Sequence, residues 1–170
     1  TSSPDLQRWI CQHLQVVADA KAIPALIPML QDPKVCGAAC EVLEVLPGEE
    51  VNRILRKALL NLPPSCQPPV IHLLGIRRDT NAVSILSSLI QRQPHSVVSA
   101  AAIQALGRIG TRKAATTLET LLQSQKLTPE QVHAALACAE RLSQGTTSDV
   151  HHARRLCHRL LAHPNLPIRD

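Results

Sequence analysis

The chain has 170 residues, 45% of them apolar, a formal charge of +5, and Trp9 as its one residue of the Phe/Tyr/Trp class. That is enough apolar content for one compact domain or one short solenoid, and too few aromatics for a nucleic-acid module that works by base stacking. No run of eighteen apolar residues occurs, so no membrane-spanning helix is expected, and no signal peptide is visible.

From the amino terminus, Pro4 is placed as a first-turn proline and 5–18 is amphipathic, with Leu6, Ile10, Leu14 and Val17 on one stripe. Residues 20–31 read as a second helix that Pro28 bends, because proline removes a backbone donor and crowds the preceding turn. Asp32-Pro33 is a turn. A third helix over 35–46 turns Val35, Ala39, Val42 and Leu46 inward, Pro47-Gly48 breaks it, and 49–62 follows. The proline-rich stretch 63–69 is the least regular, and a shorter helix is expected from about Pro68 to Arg77. Asp79 is placed to cap 80–92. The cleanest pattern lies in 95–109, where Val98, Ala102, Ala105 and Ile109 recur up to Gly110. Residues 112–124 and 129–143 form the next pair, and Thr128-Pro129-Glu130-Gln131 is a helix-start signature. After a linker at 145–148, a last helix covers 149–162 and stops at Pro164. Nothing alternates with period two, so no sheet is expected. Both ends read as trimmed, and 166–170 reads as the opening of a further helix.

A phrase recurs through these segments. It runs Asp-Ala-Lys-Ala-Ile-Pro-Ala-Leu from Asp19, Asp-Thr-Asn-Ala-Val-Ser-Ile-Leu from Asp79 and Thr-Arg-Lys-Ala-Ala-Thr-Thr-Leu from Thr111, with weaker copies from Gly48 and at the end. The leucine slot is Leu26, Leu55, Leu86, Leu118 and Leu156, in steps of 29, 31, 32 and 38 residues. A repeat of that length is one helix pair, which cannot bury its apolar face alone and must stack on its neighbours.

The stretch Val98, Ala101-Ala102, Ala105-Leu106-Gly107, Ile109-Gly110 resembles the Val-Arg-x-Ala-Ala-x-x-Ala-Leu-Gly-x-Ile-Gly phrase of HEAT repeats. It is close to the short bacterial form that phycobilisome-lyase-type HEAT proteins also carry. Val35 to Leu43 fits the same frame, and 73–83 looks like the repeat junctions of large bacterial HEAT proteins. The likeness covers about 5–143 and is looser over 144–170. It implies an all-α fold, a right-handed α-α superhelix of about ten helices in antiparallel pairs, as one HEAT-like domain over 1–170. It also implies a segment of a larger bacterial protein. The arginine that usually follows the first valine is replaced by Cys36 and Ser99, so the usual Asp–Arg ladder is not expected there.

HEAT arrays occur in scaffolds, adaptors, lyases and DNA-repair enzymes, so the resemblance implies a fold more than an activity. It places the binding surface on the concave side, along the second helix of each pair. With Val98, Ala102, Ala105 and Ile109 as core, Ala100, Gln104 and Gly107 turn outward, with Arg108 beside them. Aligned positions are Arg8, Gln12 and Gln15; Gly37, Glu41 and Glu44; Pro68, His72 and Gly75; and Ala134, Cys138 and Arg141. This mixed strip suits a protein or peptide partner and lacks the basic stripe that nucleic acid needs. Residues 1–46 balance at −2 and residues 47–170 at +7. The last helix concentrates Arg154, Arg155 and Arg159 with His151, His152 and His158, a face open to an acidic partner and poor for a metal, since its guanidinium groups repel a cation.

Catalysis has no signature: no nucleophile elbow, no phosphate loop, and Glu49-Glu50 placed as first-turn helix acids. A non-catalytic scaffold segment is therefore the expectation, with neither cofactor nor metal. A phycobilin-lyase-like or other HEAT enzyme and a nucleic-acid-binding HEAT domain are the alternatives. Of the six cysteines, Cys11 and Cys40 occupy a slot held elsewhere by Ile71 and Ile103, as small buried hydrophobes do. No CxxC pair exists, and equivalent positions of stacked helices sit about 8–10 Å apart, too far for a disulfide. Free thiols are expected, with Cys138 exposed. Thiols suit a reducing cytoplasm, while the resembling bacterial proteins are often exported, so the compartment stays open.

Overall fold

In the computed structural model, residues 3–17, 19–124, 127–164 and 166 are described, apart from the side chains of 15–17 and 20. The expectation of a further helix at 166–170 falls mostly outside them.

Ten α-helices, and no strand among the described residues, make up the fold. They are α1 (Pro4–Val17), α2 (Ile23–Met29), α3 (Cys36–Val45), α4 (Glu49–Leu59), α5 (Gln67–Ile76), α6 (Val83–Arg92), α7 (Val97–Ile109), α8 (Arg112–Leu121), α9 (Pro129–Ser143) and α10 (Thr147–Leu161). The boundaries follow local chemistry. Ser96, Thr111, Thr128 and Thr146 each accept a backbone N–H of the first turn, and Thr128/Gln131 and Thr146/Asp149 close reciprocal capping boxes. Gly110 ends α7 in the left-handed region at φ 61°, where glycine carries no Cβ penalty. Pro28 lies inside α2, which is only seven residues long and is entered through a short 3-10 turn, Ala20–Ala22. Asp79 caps a similar turn, Thr80–Ala82, and so enters α6 one step earlier than a direct cap would.

The chain divides into two compact units, Thr1–Arg77 and Arg78–Asp170. In the first, α2 packs on α3 and α4 on α5, while α1, α3 and α5 stack in turn. In the second, α6 packs on α7 and α8 on α9, α7 stacks on α9, and α10 closes against α8 and α9. Each unit is thus a stack of helix hairpins, the solenoid-type arrangement that the repeat requires. All five slot leucines are buried, none more than 1% exposed. Each contributes roughly 1.5–3 kcal/mol by leaving water. Val35, Ala39, Val42 and Leu46 point inward, as do Val98, Ala102, Ala105 and Ile109.

Helix α1 departs from its expected stripe. Its inward residue is Cys11, which is fully buried, whereas Leu6 and Ile10 are exposed and Leu14 is half-buried. A helix wheel finds the apolar side but not the side that meets a neighbour, and α1 packs against α3 alone among the α-helices with which it makes extensive contact.

Polar staples tie the stacks together. In the first unit Arg77, at the end of α5, lies across the end of α3. Its guanidinium donates to the carbonyls of Leu43 (3.1 Å), Glu44 (3.2 Å), Leu46 (2.6 Å) and Gly48 (2.9 Å), and its Nε donates to Asn52 Oδ1 (2.5 Å). Carbonyls at a helix end have no intrahelical partner, and here one side chain donates to two in the last turn of α3, Leu43 and Glu44, and to two in the connection to α4, Leu46 and Gly48. In the second unit Lys113 reaches Ser84 Oγ (2.7 Å), Arg112 pairs with Asp149 (3.1 Å), and Arg155 pairs with Glu119 (2.5 Å).

Candidate functional site

The second helices of the hairpins are α3, α5, α7 and α9, and α1 holds the equivalent place ahead of α3. Helices α3, α5, α7 and α9 each bury one side almost completely, so the residues on the other side are carried on a fixed support; α1 buries Cys11. In the first unit Arg8, Gln12, Glu41, Glu44 and His72 are all exposed; Gln15 lies in α1, but its side chain is outside the described set. Arg8 is partly committed to its own unit, donating to the Lys34 carbonyl at 3.1 Å. Glu41 and Glu44 flank Val45, which is 55% exposed, so this face has an apolar spot with two carboxylates beside it. The Glu41 charge is felt below the surface: burial pushes the Cys11 and Cys40 thiols up, Cys40 to about 12, and Glu41 raises both further.

In the second unit Gln104 and Arg108 are exposed and Arg141 is half-buried. Other members of the expected strip are corrected here. Gly107 faces α9, where an added Cβ would lie 2.7 Å from both Cα and the carbonyl oxygen of Ala134. Ala134 and Gly75 are buried as well. Cys138, expected to be exposed, is fully buried, and burial lifts its thiol to about 12. The wheel placed these small residues away from the core of their own hairpin. It could not show that the adjacent second helix approaches so closely that only small residues fit. Of the six thiols, all free, Cys157 is the half-exposed one.

The basic last helix is also redistributed. Arg155, its side chain still 47% exposed, pairs with buried Glu119 of α8; Arg154 and Arg159 are exposed as well. His151 and His152 stack edge-on with ring centroids 6.3 Å apart, and a His163 ring nitrogen sits 2.9 Å from the Ser124 carbonyl. Among the described residues no three histidine, cysteine or carboxylate side chains converge as a metal site would need. No helix among them is long and apolar enough to cross a membrane.

Sequence reasoning missed one surface. Between α9 and α10 runs an open groove of about 770 Å³, lined by Leu136, Ala137, Val150, Ala153 and Cys157, with His133, Glu140 and Arg154 at its rim. Leu136 is 49% exposed and Leu161, one turn beyond Cys157, is 79% exposed. Its signal, apolar residues left over on α9 after the inward set is assigned, is weak in a chain this rich in Leu and Ala.

Residues 69–139, from α5 into α9, match the family model of HEAT repeats. The hairpins within this stretch are HEAT repeats. The matched stretch contains the whole of α6, α7 and α8 and the Gly107–Ala134 approach of α7 to α9. HEAT repeats typically bind proteins and are generally non-enzymatic. No curated protein matches the chain.

Proposed function

We propose that this HEAT protein is a non-catalytic scaffold module that holds a partner protein or peptide on the exposed side of its second helices. The observation that carries the reading is the support beneath Glu41, Glu44 and Val45. Ala39, Val42 and Leu43 of the same helix are fully buried, so two carboxylates and an apolar side chain are presented on a backbone that is already ordered before binding. A peptide with an apolar residue flanked by basic ones fits that spot. His72 extends the candidate contacts within the first unit; in the second unit Gln104, Arg108 and Arg141 are candidate contacts of their own.

The test is charge reversal. Glu41→Lys with Glu44→Lys is expected to weaken a captured partner at least tenfold at physiological salt, while Lys57→Glu, exposed on α4 away from this face, leaves affinity unchanged. Equal affinity for the reversed variant would remove this face from the reading. A lyase-like enzyme would instead hold a chromophore, and a nucleic-acid binder would bind DNA with steep salt dependence.

A further inference from the structure

Three buried thiols lie together inside the first unit. Cys36 is the first residue of α3, Cys40 stands one turn along the same helix, and Cys66 immediately precedes α5, which packs on α3. Two of them meet. The Cys36 thiol hydrogen-bonds the Cys66 side chain, and its sulfur also lies 3.9 Å from the Pro33 carbonyl oxygen. Equivalent positions of stacked helices are too far apart for a disulfide, but these two are not equivalent. With Gly37 aligned to Pro68, Cys66 stands opposite Val35, one residue out of step with Cys36. The pair therefore has what a disulfide needs and matching positions lack, side chains that already touch across two hairpins.

Two effects compete at Cys36. The Gly37 N–H, in the first turn of α3, donates to its sulfur and favours the thiolate. Burial acts the other way and wins: with Cys66 beside it, the Cys36 thiol is pushed up to about 11. The closed pair is thus quiet, and it reacts during brief opening of the first turn of α3 or α5. We propose that Cys36 and Cys66 are a reversible disulfide site, closed by a peroxide and opened by a dithiol, that ties the α2–α3 hairpin to the α4–α5 hairpin. One thiolate attacks the O–O bond of the peroxide, giving a sulfenic acid and hydroxide, which takes up the proton that thiol lost and becomes water. The second thiol attacks the sulfenic sulfur; the S–S bond forms and the hydroxyl leaves with the thiol's proton as a second water. Each sulfur gives up one electron and the peroxide takes two. A dithiol reverses the bond and becomes a cyclic disulfide itself. The bridge sets the spacing of Glu41 and Glu44 from His72, a consequence for binding that rests on the partner-face reading; the bridge itself does not.

The test starts from Cys157→Ser, which removes the half-exposed thiol and leaves the buried ones. The folded chain is treated with hydrogen peroxide, quenched, unfolded and alkylated. The expected product has lost two hydrogens in mass, two of its thiols escape alkylation, and dithiothreitol restores both. Trypsin should release 35–53 linked to 58–77. Because 35–53 also holds Cys40, variants make the assignment: Cys40→Ala should keep the bridge, while Cys36→Ala and Cys66→Ala should each slow bridging at least tenfold. The bridged chain should show a higher urea midpoint than the same chain reduced, since the bond constrains the unfolded state. A folded chain that gains oxygen but forms no bridge overturns the proposal without recourse to any buried variant. A bridge that survives Cys36→Ala, through Cys40 or Cys11, overturns it too. So does a bridge that lowers the urea midpoint, because it then forms only by distorting α3 against α5. Glu41→Lys with Glu44→Lys should leave bridging unchanged, which separates this result from the partner-binding reading.

Discussion

Arg77 is the most testable stabilising feature of the first unit. Its guanidinium makes five hydrogen bonds, four to carbonyls between Leu43 and Gly48 and one to Asn52, whose Nδ2 in turn donates to Glu49 (2.9 Å). A hydrogen bond to a charged group contributes about 1.5–3 kcal/mol when desolvated, but Arg77 is only half-buried, so about 0.5–1 kcal/mol per contact is the appropriate scale. Arg77→Ala should therefore destabilise the protein by about 3 kcal/mol and lower the urea midpoint by about 1–2 M. Arg77→Lys should recover less than half, because an ammonium cannot reach several carbonyls as a planar fork does. Arg78→Ala is the control: it removes the same charge from the next, exposed residue and should cost under about 0.5 kcal/mol. Equilibrium urea unfolding followed by circular dichroism measures all three. If Arg77→Ala falls within about 0.5 kcal/mol of the parent, water replaces the guanidinium at the end of α3 and the staple contributes nothing.

Three other outcomes are expected. Gly107→Ala should lose about 2 kcal/mol in the same assay despite a helix-propensity gain of up to 1 kcal/mol, because the new methyl meets the backbone of Ala134, which cannot rotate away. Arg155→Ala should cost about 2 kcal/mol by leaving the Glu119 carboxylate buried and unpaired, and Arg155→Ala with Glu119→Leu should recover most of it; an additive double mutant would refute the pairing argument. At about pH 8 a disulfide reagent should modify a single fast thiol in the native protein, lost in Cys157→Ser, since Cys40 and Cys138 are buried with thiols lifted to about 12 and stay protonated. Fast labelling that survives Cys157→Ser would show that another thiol opens readily to solvent.

The sequence by itself determined the helices, their pairing and their inward leucines. A repeat near thirty residues, caps such as Thr128 and Gly110, and 3.6-residue periodicity are local signals, written in neighbours along the chain. The exposure of most of the charged or polar residues singled out was legible for the same reason: once Val98, Ala102, Ala105 and Ile109 are inward, Gln104 and Arg108 have nowhere to go but out. Only the tertiary structure decided what lies on the flanks of each helix. It buried Gly107 and Cys138 where α7 meets α9, turned Arg155 onto Glu119, laid Arg77 across the end of α3, and left Trp9 and the α9–α10 groove open. Those outcomes depend on how closely one hairpin approaches the next, a distance set by side chains about thirty residues apart, which the periodicity of a single helix does not encode.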